Sequence, residues 1–287
     1  MQAILFAVVS YLGWGAGDVF ATIAGRKIGP YAATFWFMLL SLITLLPFSV
    51  FFLADIHKIT LEMILFILAI ASIGDIGLVT FYEGLRVGSA PVVGVASSTF
   101  IAITILLSII FLNETVTPTQ AIAILIILAG TVITGLNFKG IKTRQFLNDK
   151  GFIYALVSAI TWGVYWAFIK VPVVKIDWYW PTVIAFCSFP IVYAFMALRK
   201  IKLIPINSKQ KFIPSFANAL ITGIGSLSYN FAISKGLTSL VIPIAGSYPT
   251  LFVILAYFAF KDPITKQQIA GIAITLIGIV LLSIFSA

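Results

Sequence analysis

Apolar residues fill this chain in runs of about twenty or more, and charged and turn-forming residues fall between the runs rather than inside them. A hydrocarbon core of about 30 Å is crossed by about 20 helical residues, so each run predicts a spanning helix. The punctuation places ten, near 2–24, 31–54, 62–85, 89–112, 119–137, 151–170, 179–198, 212–235, 238–260 and 266–286. Almost no chain is left over for a soluble domain. Composition agrees, because 61% hydrophobic and 9% charged residues over 287 positions lie outside the range of soluble globular domains.

Sliding the sequence by 148 positions superposes Ser10 on Ser158, Trp14 on Trp162, Gly15 on Gly163, Thr117 on Thr265, Gln120 on Gln268 and Gly130 on Gly278, and brings Glu114 onto Asp262. A slide of 152 matches Gly84-Leu85 with Gly236-Leu237 and Pro91 with Pro243, an offset of four residues between these anchors. The chain therefore reads as a duplication: a first five-helix unit at 1–138, a basic linker at 139–150 and a second unit at 151–287. Five is odd, so the second copy starts on the opposite face and inserts upside down. The fold expected is an all-α integral membrane protein of ten transmembrane helices in two inverted five-helix repeats. Inverted halves are a recurring build of secondary transporters, with the substrate near the bilayer midplane.

The net charge of +9 does not point to nucleic acid, because the bases cluster at the ends of the apolar runs and act as topology signals. With ten crossings both termini share a side, which receives Lys58, Lys170, Lys175 and Lys235; the other fourteen Lys and Arg residues fall on the opposite side. The positive-inside rule then puts both termini outside a cell membrane. The first run has no basic flank or small-residue cleavage pattern and is expected to stay in the mature protein. The lone Cys187 excludes an intrachain disulfide. His57, the only histidine, sits in the polar loop 55–58, so no metal site or cofactor is expected.

The Trp-Gly steps Trp14-Gly15 and Trp162-Gly163, the turns Gly84-Leu85-Arg86 and Lys235-Gly236-Leu237, and the order Glu114, Gln120, Gly130 and Asp262, Gln268, Gly278 together resemble the drug/metabolite transporter superfamily, in particular its ten-helix EamA-type members. The likeness covers nearly the whole chain. It implies alternating access around a cavity lined by the first, third, fourth, sixth, eighth and ninth helices, and export of amino acids or other small metabolites; more distant relatives carry sugars and nucleotide sugars. Such proteins usually keep their termini in the cytoplasm, against the charge count, which is retained here.

Two carboxylates lie within apolar runs. Asp18 shares a face of the first helix with Tyr11 and Trp14, and Asp75 sits in the third helix between Gly74 and Gly77, with Tyr82 seven residues on. An ionised Asp at the bilayer centre costs roughly 2.5–3.5 kcal/mol, which packing alone does not explain. Burial disfavours the charged carboxylate, so an acid that is dry in one conformation and wet in another changes its proton affinity as the protein moves. Asp18 and Asp75 are thus expected to bind protons or a cationic group.

The opposing wall is aromatic with hydroxyl and amide groups, from Trp162, Tyr165 and Trp166 on the sixth helix and Tyr229 and Asn230 on the eighth; Ser98 on the fourth helix and Tyr248 on the ninth are also expected to line the cavity. Pro91 with Ser97, Ser98 and Thr99 in the fourth helix, and Pro243, Gly246, Ser247, Tyr248 and Pro249 in the ninth, predict interrupted helices, and such interruptions point to a binding site. The second helix reads as scaffold, the pair Glu83 and Arg86 as interfacial, and Lys170 as snorkelling to the interface. Partners expected are a small amphipathic solute, such as an amino acid or organic amine, the lipid bilayer, and protons. An intramembrane aspartyl enzyme is the rival class, supported by nothing beyond the count of acids. A reporter fused after Ala287 is expected to read an external terminus; a cytoplasmic signal overturns the orientation.

Overall fold

The computed structural model describes residues 1–88, 90–135, 150–261 and 263–286. Asp262, the linker from 139 to 149, residue 287 and the Pro91 side chain lie outside the described residues. The chain forms α1 (Gln2–Ile28), α2 (Pro30–Leu45), which runs on as a 3₁₀ helix over Leu46–Lys58, α3 (Leu61–Val87), α4 (Ala90–Ser98), α5 (Phe100–Phe111), α6 (Pro118–Gly135), α7 (Lys150–Phe168), α8 (Lys170–Lys175), α9 (Trp180–Phe186), α10 (Phe189–Leu198), α11 (Lys209–Lys235), α12 (Thr238–Gly246), α13 (Pro249–Phe260) and α14 (Lys266–Phe285). Pairs α4/α5, α9/α10 and α12/α13 are consecutive pieces of single expected spans, and α8 carries the chain on past the expected end of the sixth span at 170.

Among the described residues, nine helical stretches are long and apolar enough to cross a membrane. The stretch expected as the eighth span, α11, has 27 residues and ample length but is too polar to count with the nine. It carries Asn218, Thr222, Ser226 and Asn230 at every fourth position, a stripe that survives at membrane depth only against protein or water. His57 is exposed at the end of the 3₁₀ helix rather than in a loop, beside the Lys58–Asp55 ion pair.

Glycine decides how the two halves meet. The first helix of each half packs along the third helix of the other, α1 on α11 and α7 on α3. Trp14 covers Gly225, where a β-carbon would come 2.8 Å from the indole, and Trp162 covers Gly77, where it would come 2.6 Å away. Gly15 meets Leu251 and Gly163 meets Ile103; Gly17 meets Thr222 and Tyr165 meets Gly74. Within each pair of contacts the partners are 148 residues apart in sequence. Contacts that exchange in this reciprocal way are those expected of two inverted halves about a pseudo-twofold axis.

The offset of 152 does not survive. Gly88 ends α3 and Gly236 ends α11, both extended, and α4 and α12 begin two residues later in each copy, so the shift of 148 holds throughout. The Gly84-Leu85 match was a coincidence of composition, since Gly84 lies inside α3. The repeated Thr and Gln are explained by helix capping. Thr265 and Gln268 form a capping box at the start of α14, and Thr117 and Gln120 exchange the same two hydrogen bonds at the start of α6.

Helices α6 and α14 form a seam of their own, in which Gly130 lies against Thr275 and Gly271, and Gly278 against Ile127. A β-carbon on Gly130 would sit 2.5 Å from the backbone nitrogen of Thr275, an atom that cannot turn away. Gly130→Ala is therefore expected to destabilise the protein by about 1–3 kcal/mol despite the better helix propensity of alanine, read as a lower thermal midpoint in detergent. An unchanged or raised midpoint contradicts this packing.

Candidate functional site

A cavity of about 240 Å³ lies where the halves meet. Its walls come from both copies at corresponding positions: Trp14 and Trp162, Asp18 and Trp166, Thr34 and Thr182, Gly74 and Thr222, Tyr82 and Asn230, Phe100 and Tyr248. The cavity thus straddles the axis relating the halves, with different chemistry at equivalent places.

Helix α1 presents Trp14, Asp18 and Ala21 to it, and α3 presents Ala71, Asp75, Leu78 and Tyr82, both at helical spacings of three and four. Both acids are thereby brought together. Asp18 is partly exposed to the cavity, with the phenols of Tyr82 and Tyr248 as its titratable neighbours. Asp75 is 8% exposed, beside the Ser188 hydroxyl and with Tyr165 as its titratable neighbour; its Oδ2 is sealed without a hydrogen-bond partner. Ser188 Oγ itself donates to the Ala185 carbonyl at 2.7 Å, which occupies its one proton.

Trp14, Trp166 and Tyr248 form a tight aromatic floor, with ring centroids 4.6 Å apart for Trp14–Trp166 and 5.8 Å for Trp14–Tyr248. Below it, towards the face carrying the termini, the main apolar cluster packs residues of α1, α5, α6, α7, α11, α12 and α14, including Ala7, Ile105, Ile169, Ile233 and Val241. That face is sealed. In the other direction the cavity reaches Ala33 in the first turn of α2, close to the face where most bases lie.

Seven of the ten expected cavity side chains besides the acids line it: Trp14, Tyr82, Trp162, Tyr165, Trp166, Asn230 and Tyr248. Three do not. Tyr11 is buried one turn below Trp14, where its hydroxyl is bonded to Thr250 Oγ1 at 2.9 Å. Tyr229 is fully buried under the floor and donates to the Trp166 carbonyl at 2.9 Å. Ser98, at the end of α4, is outside the lining.

The second and seventh helices, expected to lie outside, both contribute: Thr34, Phe37 and Met38 from α2, Thr182, Ala185 and Phe186 from α9. Asn218 and Thr222 were also missed, although the spacing of four that links them to Ser226 and Asn230 was present in the sequence. The breaks in the fourth and ninth spans fall at Thr99 and at Ser247–Tyr248, within the two expected interrupted stretches; Pro249 opens α13, whereas Pro243 lies inside α12. The N–H groups of Thr99, Ser247, Tyr248 and Thr250 each donate to the carbonyl three residues back, so the breaks are tightened turns.

Charged groups at the two ends bind protein. On the sealed face Glu114 is buried and accepts from the backbone N–H groups of Thr238 and Ser239, both at 2.7 Å, joining the first half to the start of α12 in the second. Lys170 does not snorkel; its Nζ donates to the carbonyls of Ile233 and Gly236 and closes the end of α11. At the opposite face Glu83 accepts from Tyr31 at 2.6 Å, Arg86 at 2.7 Å and Arg199 at 3.3 Å, so the expected pair with Arg86 extends to α2 and to Arg199 just past α10.

Paired halves around a polar cavity at membrane depth are the architecture of a carrier for small solutes. The chain belongs to the EamA-like transporter family, whose model matches residues 1–136 and again 149–284. An uncharacterised protein of Methanocaldococcus jannaschii is 31% identical over 136 residues, which are 47% of this chain and 98% of that protein, so that relative has the length of one half. One crystal structure superposes with a TM-score of 0.78 over 99% of this chain and 96% of its own at 16% identity, a likeness of fold.

Removing Glu114 leaves two buried N–H groups of α12 without their charged acceptor. Glu114→Ala is expected to cost about 1.5–3 kcal/mol, seen as a lower thermal midpoint, with Glu114→Gln between it and the parent. Equal midpoints for all three would show that this cap carries no weight.

Proposed function

We propose that this protein is a secondary active transporter of a small amphipathic metabolite, an amino acid or organic amine, which it exports by alternating access with protons as the coupling ion. The single observation that supports this most directly is the presence of Asp18 and Asp75 in the lining of one cavity between inverted halves, with the main apolar cluster packed between it and the face of the termini. The volume favours a small solute, being below the roughly 300–1,000 Å³ of pockets for drug-sized ligands. The aromatic floor supplies apolar surface and π faces, and the hydroxyls and amides supply neutral hydrogen bonds. No step of this cycle calls on a metal or cofactor.

The two acids divide the work. Asp75, with one oxygen sealed and unpartnered, suits the neutral acid and so the coupling proton, because an ionised carboxylate in that place has lost solvation without gaining a donor. Asp18, open to the cavity, suits the substrate. With termini outside, the face near Ala33 is cytoplasmic and this conformer is the one that loads. Closure over the Thr34 and Tyr82 end, with release of the Glu114 cap and the cluster beneath the floor, would turn the cavity outward.

The test is flux in proteoliposomes under an imposed pH gradient. Asp18→Asn is expected to lower substrate affinity by roughly ten- to a hundredfold, the worth of a lost charge-assisted hydrogen bond. Asp75→Asn is expected to abolish gradient-driven accumulation while leaving downhill exchange. Accumulation that still follows the gradient in both variants removes proton coupling from the scheme.

A further inference from the structure

We propose that the substrate carries a positive charge and no carboxylate: an organic amine or similar monocation rather than a zwitterionic amino acid. This rests on the transport reading of the same cavity and narrows it. The first ground is the charge inventory of the walls. Asp18 and Asp75 are the charged lining residues, and no Lys, Arg or His among the described residues joins them.

The bases nearest the bundle interior are engaged elsewhere. Lys170 holds the carbonyls that end α11, and Arg86 and Arg199 hold Glu83. Arg26 lies 4.4 Å over the Phe260 ring, and Lys27 donates to the Gln210 carbonyl.

The second ground is the backbone. An unwound helix inside a membrane can hold a carboxylate on the exposed N–H groups of a half-helix. At the three mid-span breaks the N–H groups named here turn inward: at α12/α13 Ser247, Tyr248 and Thr250 donate to carbonyls three residues back and Pro249 has no N–H, at α9/α10 Cys187 and Ser188 do the same and Pro190 has none, and at α4/α5 Thr99 does so. A carboxylate entering this cavity would lose its hydration, meet two other acids and find no positive charge in exchange.

A cation meets the reverse. It finds the Asp18 carboxylate at the open side and the faces of Trp14, Trp166 and Tyr248 at the floor, where ring attraction adds to the ion pair. The Thr222 hydroxyl donates to Asn218 Oδ1 at 2.9 Å, so that hydroxyl proton is not available to an anion.

Matched pairs that differ only by the carboxylate test this: phenylalanine with phenethylamine, leucine with isoamylamine, and histidine with histamine. Each is measured on the purified full-length protein by the shift in thermal midpoint, and in proteoliposomes by flux. The amine of at least one pair is expected to stabilise and to move at least tenfold better than its amino acid, an advantage lost in Asp18→Asn and retained in Asp18→Glu. Amino acids that match or exceed their amines overturn the inference. So does an amine advantage untouched in both Asp18→Asn and Asp75→Asn, and so does the failure of every amine to shift the midpoint. Amino-acid flux would leave the transport reading standing while removing this one; amine binding without flux of any solute would do the opposite.

Discussion

The close approach of backbone to aromatic ring at Gly77 and Gly225 is the constraint from which the rest of the architecture follows. A tryptophan of each first helix lies against a glycine of the opposite half, where a β-carbon would come within 3 Å of the indole, so any larger residue would push the helices apart. In lipid there is little hydrophobic gain in bringing helices together, so packing of this closeness, with few side chains between, has to provide the adhesion. Because the same contact is made twice about an axis, the halves have only one way to sit. The cavity is what remains on that axis once the four helices have been drawn in.

Symmetry fixes the positions of the wall; sequence divergence fixes its chemistry. Asp18 occupies the place that Trp166 holds in the other copy, and Asp75 the place of Gly223. One half thus brings the charge and the other the aromatic faces and amides. At the face of the termini a carboxylate of the first half, Glu114, is tied to the backbone at the start of α12 in the second.

Much of this was legible in the sequence. The ten apolar runs, the slide of 148 and the two buried acids follow from the cost of charge and open backbone in lipid, which leaves a coarse and reliable trace. The side chains around the cavity were harder. Tyr11 and Tyr229 share helix faces with lining residues, but one turn of rise carries them below the floor, a distance that a helical wheel does not register. The second helix was set aside for want of an ionisable group and the seventh was not among the helices the resemblance placed around the cavity, although Thr34 and Thr182 correspond under the slide and both line it. Lys170 misled for a different reason: in composition a basic residue near a helix end looks solvated, and only the path of α11 reveals that two carbonyls await it.

The seam of α6 and α14 supplies no residue to the cavity, yet it is as tightly joined as any part of the bundle. Its contacts need not open when the chamber changes shape, so these two helices can remain still while their neighbours rock. Probes attached to their lipid-facing sides, at Leu125 or Ile277 for instance, would then serve as stationary fiducials, against which the travel of α1, α3, α7 and α11 could be measured in ångströms rather than inferred from rates.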